Sequence, residues 1–267
     1  MLADTFPSMP SRDEPVVFDR AAHCYDATRG FPPGIEERVA DLIADAGGLD
    51  RSSRLLEIGV GTGRIALPLA KRIERVVGVD LSHSMMQKLV AKRGPLGIDL
   101  ARADATRLPF PDASFDAALG VHVFHLIPGW RTVLAELARV LRPGAPLLHG
   151  ADDRSGDWAR WRDRFGAEHR VENVGVPIHR LDEFPENEGW CALGAPHRIR
   201  YARQLTPRAL VDLLAARTWS FTWRMSDGQL AEAAEARRKE LLERYGDLDR
   251  PVETESGFWV RAFRAPR

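Results

Sequence analysis

The stretch Leu55-Leu-Glu-Ile-Gly-Val-Gly-Thr-Gly63 constrains this chain more than any other. An apolar run leads into glycines at 59, 61 and 63, and Ile65 to Arg72 then has the spacing of a helix. Glycines so placed permit a tight turn and let a ligand come against the backbone, while the first turn of the next helix offers free N–H groups. Strand, ligand-binding turn and helix in succession form the opening unit of a parallel α/β sheet.

The alternation continues. Arg75 to Val79 is a second apolar run ending at Asp80, and Ser82 to Arg93 is the next helix. Ile98 to Arg102 is a third strand ending before Asp104, and Phe115 to Val123 is a fourth. A helix carrying Val133, Leu134, Leu137, Val140 and Leu141 on one face follows, then a fifth strand from Pro146 to Gly150. Apolar strands alternating with amphipathic helices predict a sheet covered on both faces. Upstream, Phe18 to Arg29 reads as a short amphipathic helix, and a second helix begins at Ile35 and stops at Gly47-Gly48. The character changes after Asp152. Segments 154–170 and 206–246 read as helical and charged, with Trp158, Trp161, Trp219 and Trp223 among them. Leu181 to Leu193 reads as a core helix marked by Pro185 and Gly189, and His197–Arg203 and Gly257–Phe263 alternate like two late strands. The expected organisation is a disordered arm over 1–15, a ligand-binding core with its covering helix over 16–152, and helical cap segments plus the last helix and strands of the core over 153–267.

The chain has 267 residues, 44% hydrophobic and 28% charged, which suffices for a sizeable core. Lys+Arg and Asp+Glu are both 38, so no net basic charge marks it as a nucleic-acid enzyme. Cys24 and Cys191 have no metal-type spacing, and no metal is expected. No run approaches the ~20 apolar residues of a membrane span, and the N-terminus lacks a signal-type apolar core, so the expected location is cytoplasmic.

Two cofactors compete for the glycine loop. A nicotinamide dinucleotide needs G-x-G-x-x-G, but position 64 is Arg64 and the third glycine comes one residue early. Glu57 precedes the first glycine, and a carboxylate there favours the ammonium of S-adenosylmethionine (SAM), which has no pyrophosphate to seat. Asp80, 21 residues after Gly59, stands where an acidic side chain can bond both ribose hydroxyls. The loop therefore points to SAM.

LLEIGVGTGRIALPLA resembles motif I of the class I SAM-dependent methyltransferases, and VVGVDLSHSMM resembles their second motif. ADATRLPFPDASFDAALGVHVFHLI resembles the third and fourth. LPFPDASFD followed by LARVLRPGA is similar to the type 11, ubiquinone/menaquinone-methyltransferase-like branch, as is FDRAAHCYDATR to that branch's covering segment. The resemblance covers roughly residues 16–150. It implies a Rossmann-like sheet of seven mostly parallel strands, order 3-2-1-4-5-7-6, with the last antiparallel. It also implies that Gly59, Gly61 and Gly63 pass under the methionine part of SAM. Asp80 then binds the ribose, Leu81 and Met85 lie against the adenine, and Asp104 accepts from the adenine amino group with Ala105 beside it. Val121 lines the cofactor near its sulfonium, and Tyr25 and Arg29 close over it.

SAM brings an activated methyl group, so a base is needed only for a protonated acceptor. His122, His125 and His149 stand at or near strand ends. His125 matches a histidine common in the branch and reads as structural. His122 is the catalytic candidate, while His149, Asp152 and Asp153 after strand five are read either as touching an acceptor or as solvating the loop. No carboxylate stands at a fixed spacing to orient these rings. Alignment is therefore expected to supply most of the rate, with His122→Ala costing no more than about a hundredfold. The expected acceptor is a small, partly apolar molecule with an O, N or C nucleophile. A protein or RNA methyltransferase, and a SAM-binding regulator without turnover, are the alternatives left open.

Overall fold

The computed structural model describes residues 14–153, 174–177, 180–181 and 183–266, without the side chains of Phe221 and Arg224. The sheet is built from β1 Arg54–Ile58, β2 Arg75–Asp80, β3 Ile98–Arg102, β4 Ala117–Val121 and β5 Pro146–Asp152, all parallel. The thirteen-residue strand β8, Val252–Arg264, then runs antiparallel to β5. β6 (Cys191–Ala192) and β7 (His197–Leu205) both pair with the far edge of β8, giving the path 3-2-1-4-5-8 with β6 and β7 outermost.

This is the expected Rossmann-like topology with its edge strand divided. Ala192 stands opposite Phe263 and His197 opposite Val260, so four residues, 193–196, face only two, 261–262. Gly194 at φ 112° and Pro196, which has no N–H, accommodate the surplus.

Side chains alternate across the sheet, as strand geometry requires. Leu56, Ile58, Val77, Ala118 and Leu147 face α5 (Trp130–Val140), which buries Val133, Leu134, Leu137 and Val140 against them. Leu55, Val76, Ala117, Leu119 and Leu148 face the other way, toward Val39, Ala40 and Ile43 of α2 (Ile35–Gly47) and Leu89 of α4 (His83–Arg93). Each such buried leucine or valine contributes about 1.5–3 kcal/mol, so the two faces fix the register of every strand. α2 stops at Gly48 (φ 60°), and α4 begins where Ser82 Oγ accepts from the Met85 N–H.

Three expected helices differ. Phe18–Arg29 divides into a 3-10 turn, Asp19–Ala21, and α1, Tyr25–Arg29. Asp19 and Asp26 are each tied to a different loop of the core, and this holds the two halves apart. Ile65–Arg72 is regular only over α3, Ala66–Leu69: Pro68 cannot donate to the carbonyl one turn back, and Lys71 and Arg72 donate three residues back to Pro68 and Leu69. Leu181–Leu193 is not one helix. α6 spans only Phe184–Asn187 and Gly189 at φ 84° ends it, although Leu181, Phe184 and Trp190 are buried as a core segment should be. Of the expected cap, 154–170 lies outside the described residues. Within 206–246, α7 (Pro207–Ala215) and α8 (Asp227–Tyr245) pack together through Leu210 and Leu241. Ser226 and Gln229 close a capping box at the start of α8. No helix among the described residues is long and apolar enough to cross a membrane.

Candidate active site

The parallel strands end on one side of the sheet, and the loops leaving β1, β2, β3 and β4 enclose a cavity of about 130 Å³. Gly59 and Gly61 form its floor beside Asp80, Leu81 and Met85. Asp104 and Ala105 bound one end, with Val121 and His122 towards the other. Tyr25 and Arg29 line it from the covering segment, so eleven of the thirteen site residues expected from the sequence line one cavity.

The other two lie behind its lining. Gly63, at φ 82°, lets the loop sit on α4, since a Cβ there would come within 2.2 Å of Leu89 Cδ1. Glu57 is buried under the loop with Oε2 unpartnered among the described atoms. Burial pushes its carboxyl well above the ordinary range, and Asp80 pushes it further. Asp80 organises the loop itself. Its Oδ2 accepts from Gly61 N at 2.8 Å and its Oδ1 from Ser82 N at 2.8 Å. Burial raises its pKa, and the Ser82 and Gly61 donors oppose that rise. Two desolvated carboxyl groups beneath one glycine loop favour a cationic ligand.

The covering segment is latched onto these same loops. Asp19 Oδ1 accepts from Ser82 Oγ at 2.5 Å, Asp26 Oδ1 from Thr62 Oγ1 at 2.5 Å, and Lys92 reaches Asp26 Oδ2 at 2.7 Å. Burial works against ionisation of Asp19, but its bonds to Ser82 and Ser84 prevail and hold the pKa below normal. Phe18 packs against Trp223 in a tilted ring contact, 4.9 Å between centroids, and Arg29 donates to the Thr218 carbonyl at 3.4 Å, joining the cover to the C-terminal segment. Trp219 and Trp223 are buried in that packing, while Trp158 and Trp161 lie outside the described residues.

His122 has a partner that its sequence neighbourhood does not show. It leaves β4 at φ 52°, a conformation costing a non-glycine residue about 1 kcal/mol or more, and its N–H reaches the Gly150 carbonyl at 3.3 Å. The turn swings its ring to the end of β5. There Nε2 lies 2.9 Å from the Asp152 main-chain N and 3.1 Å from Asp152 Oδ2. Arg64 grips the same carboxylate, Nη2 to Oδ1 at 2.7 Å, with its guanidinium 3.8 Å from the centre of the Phe31 ring. Burial would raise the Asp152 pKa, but Arg64 and His122 hold it well below the carboxylate range. Burial lowers the His122 pKa, Asp152 opposes this, and Arg64 and Arg29 add to it. The resting array is a neutral imidazole, a carboxylate and a guanidinium. Arg64 carries a signal in the sequence only as a mismatch to the dinucleotide pattern, and Asp152 only as a residue after strand five. The adjacency of β4 and β5 brings them together.

His149 is built into the core. Its Nδ1 donates to the Gly120 carbonyl at 3.1 Å, and Phe124, Phe184 and Trp259 surround the ring. His125 lines the cavity. No group of three metal-ligating side chains occurs among the described residues.

A model of the Methyltransf_11 family, a methyltransferase domain, matches residues 56–148, from β1 to β5. An uncharacterized methyltransferase of Mycobacterium tuberculosis is 31% identical over 214 residues, which cover 79% of this chain and 80% of that protein. The chain belongs to the type 11 methyltransferase family. The demethylmenaquinone methyltransferase of Renibacterium salmoninarum is 36% identical over 49% of this methyltransferase-family chain and 55% of its own. Phosphoethanolamine N-methyltransferase 2 of Haemonchus contortus, solved with phosphomonomethylethanolamine and S-adenosylhomocysteine, shares the fold. Its TM-score is 0.55 at 19% identity, covering 98% of this chain and 62% of that one.

Proposed function

We propose that this protein transfers a methyl group from SAM to a small-molecule acceptor. The carrying observation is that Gly59, Gly61, Asp80, Asp104 and Val121 converge on one covered cavity whose far end holds His122. The ligand chemistry fits. SAM carries a cationic sulfonium and an ammonium, and the loop sits over Glu57 and Asp80, two carboxyl groups that burial leaves short of a counter-charge. Gly59 and Gly61 would pass under the methionine part, Asp80 would take the ribose hydroxyls, and Asp104 the adenine amino group. Leu81, Met85 and Ala105 would hold the adenine ring, with Val121 beside the sulfonium. Tyr25 and Arg29 would close the cover.

When bound, SAM supplies a methyl group on a good leaving group. The chain's own share is to hold an acceptor in line with that methyl and to keep water away. Holding reactants so can remove about 7–11 kcal/mol of the barrier. The cover restricts what enters, since Asp19 and Asp26 latch residues 16–30 over the strand ends and α7 and α8 pack behind. A covered cavity suits a small acceptor better than a polymer, and the zero formal charge agrees. Incubation with methyl-labelled SAM and separated small-molecule, RNA and protein fractions tests the reading. Label is expected in the small-molecule fraction, and label confined to RNA or protein would contradict it.

A further inference from the structure

We propose that Asp152, braced by Arg64, is a positioning residue that holds the Nε2 proton of His122 and leaves Nδ1 to deprotonate a hydroxyl acceptor, making this chain an O-methyltransferase. The inference rests on the function proposed above and adds the acceptor class. It also supplies the carboxylate partner that no fixed spacing in the sequence reveals.

Asp152 offers Nε2 two contacts, and they demand opposite protonation states. Its main-chain N–H, at 2.9 Å, needs a bare Nε2, which puts the single proton of a neutral ring on Nδ1. Its Oδ2, at 3.1 Å, needs Nε2–H and leaves Nδ1 bare. A bond to an ionised carboxylate is roughly twice as strong as one between neutral groups, so the second tautomer prevails while Asp152 stays charged. Arg64 keeps it charged through Nη2 at 2.7 Å and Nη1 at 3.4 Å, and its side chain is only 11% exposed. The positive φ of His122 is explained by the same geometry, because it is the turn that sends the ring to Asp152.

The charges around the ring choose the acceptor. His122 faces Asp152 from β5, Arg64 from the glycine loop and Arg29 from α1, and Tyr25 and Tyr201 lie close to Asp152. Two guanidinium groups against one carboxylate disfavour an ammonium acceptor. A carboxylate acceptor is already deprotonated and needs no base. A hydroxyl is neutral on arrival, must lose a proton to become a strong nucleophile, and is served by the base present. In the step, the acceptor O–H proton goes to Nδ1 as the oxygen bonds to the methyl carbon. The S–CH₃ bond breaks with its electron pair going to sulfur. A methyl ether, S-adenosylhomocysteine and an imidazolium facing Asp152 result, and the imidazolium later releases its proton to solvent.

The test is nitrogen-15 spectroscopy of the imidazoles in histidine-labelled protein, free and saturated with S-adenosylhomocysteine, with His122→Gln assigning the signal. The wild type is expected to show a bare Nδ1 and a protonated Nε2. In Asp152→Asn the proton is expected to move to Nδ1, with the main-chain N–H holding Nε2. A wild-type ring already protonated on Nδ1 overturns the inference whether or not Asp152→Asn folds. Failure of S-adenosylhomocysteine to bind would instead remove the underlying functional reading. On turnover, Asp152→Asn should lower kcat roughly a hundredfold with KM for SAM unchanged, and Asp152→Glu should recover part of the loss. Labelled product should survive mild alkali, pass a cation exchanger and give up its label as methyl iodide in hydriodic acid, as an ether does and a C-methyl compound does not. Retention as a methylamine, or release of methanol as from an ester, would overturn the hydroxyl assignment.

Discussion

Glu57 is held where a carboxylate costs the ligand-free protein stability. Its folded pKa is raised well above 4.5 by burial first and by Asp80 second. A raised folded pKa means the native state binds the proton more tightly. The contribution is full below about 4.5 and is lost as pH rises towards the folded value. Glu57→Gln should therefore stabilise the ligand-free protein at pH 7 by about 1–3 kcal/mol, seen as a melting temperature higher by a few degrees, and give no gain at pH 4. The same change should weaken SAM binding, because the carboxylate that the ammonium would neutralise is gone. A melting curve indifferent to the substitution at pH 7 would show that Glu57 is not under strain. His122 has the opposite sign. Its folded pKa is lowered, so stability falls as pH drops through about 6.5, where the unfolded chain takes the proton first. Glu57, Gly59 and Asp80 are legible as site candidates because they lie within one strand–helix–strand unit. Arg64 and Asp152 stand 88 residues apart, and Asp152 and His122 stand 30 apart, so no local spacing reveals the array.

Among the elements, the glycine loop and the cover decide whether a ligand can stay. Gly63→Ala would force φ 82° on an alanine and drive its Cβ into Leu89 Cδ1. A loss of about 1–3 kcal/mol is expected, and thermal melting would measure it. The cover is latched by Asp19 and Asp26 onto Ser82 and Thr62, next to the residues that would hold SAM. Removing the Asp26 side chain breaks one such bond and the contact with Lys92, so Asp26→Ala should speed S-adenosylhomocysteine release about three- to tenfold. Hydrogen exchange should show residues 16–30 and 207–245 gaining protection on ligand binding, and equal protection in both states would count against a closing cover. The split of Phe18–Arg29 into two short turns is the kind of departure that periodicity misses. Its apolar spacing is helical, but two acidic side chains spend their bonds on distant loops. In 181–193 the apolar residues are buried as their pattern suggests, yet Gly189 and the pairing of Cys191 with β8 end the helix after one turn.

For the whole molecule, the sequence pattern specifies the class of architecture and the family resemblance its strand order. Five apolar runs alternating with amphipathic helices leave little but a parallel sheet covered on both faces, and β1 to β5 follow that plan in the order the resemblance implies. The divided edge strand depends on a ladder slipped by two residues around Gly194 and Pro196, which pattern alone does not specify. What a covered cavity at the strand ends binds is the claim on which the account turns, and calorimetric titration with SAM tests it directly. The account predicts one site per chain in the wild type and binding at least tenfold weaker in folded Asp80→Ala, because bonds to a charged partner are worth about 1.5–3 kcal/mol each. No binding by the folded wild type, or equal affinity in Asp80→Ala, would contradict it.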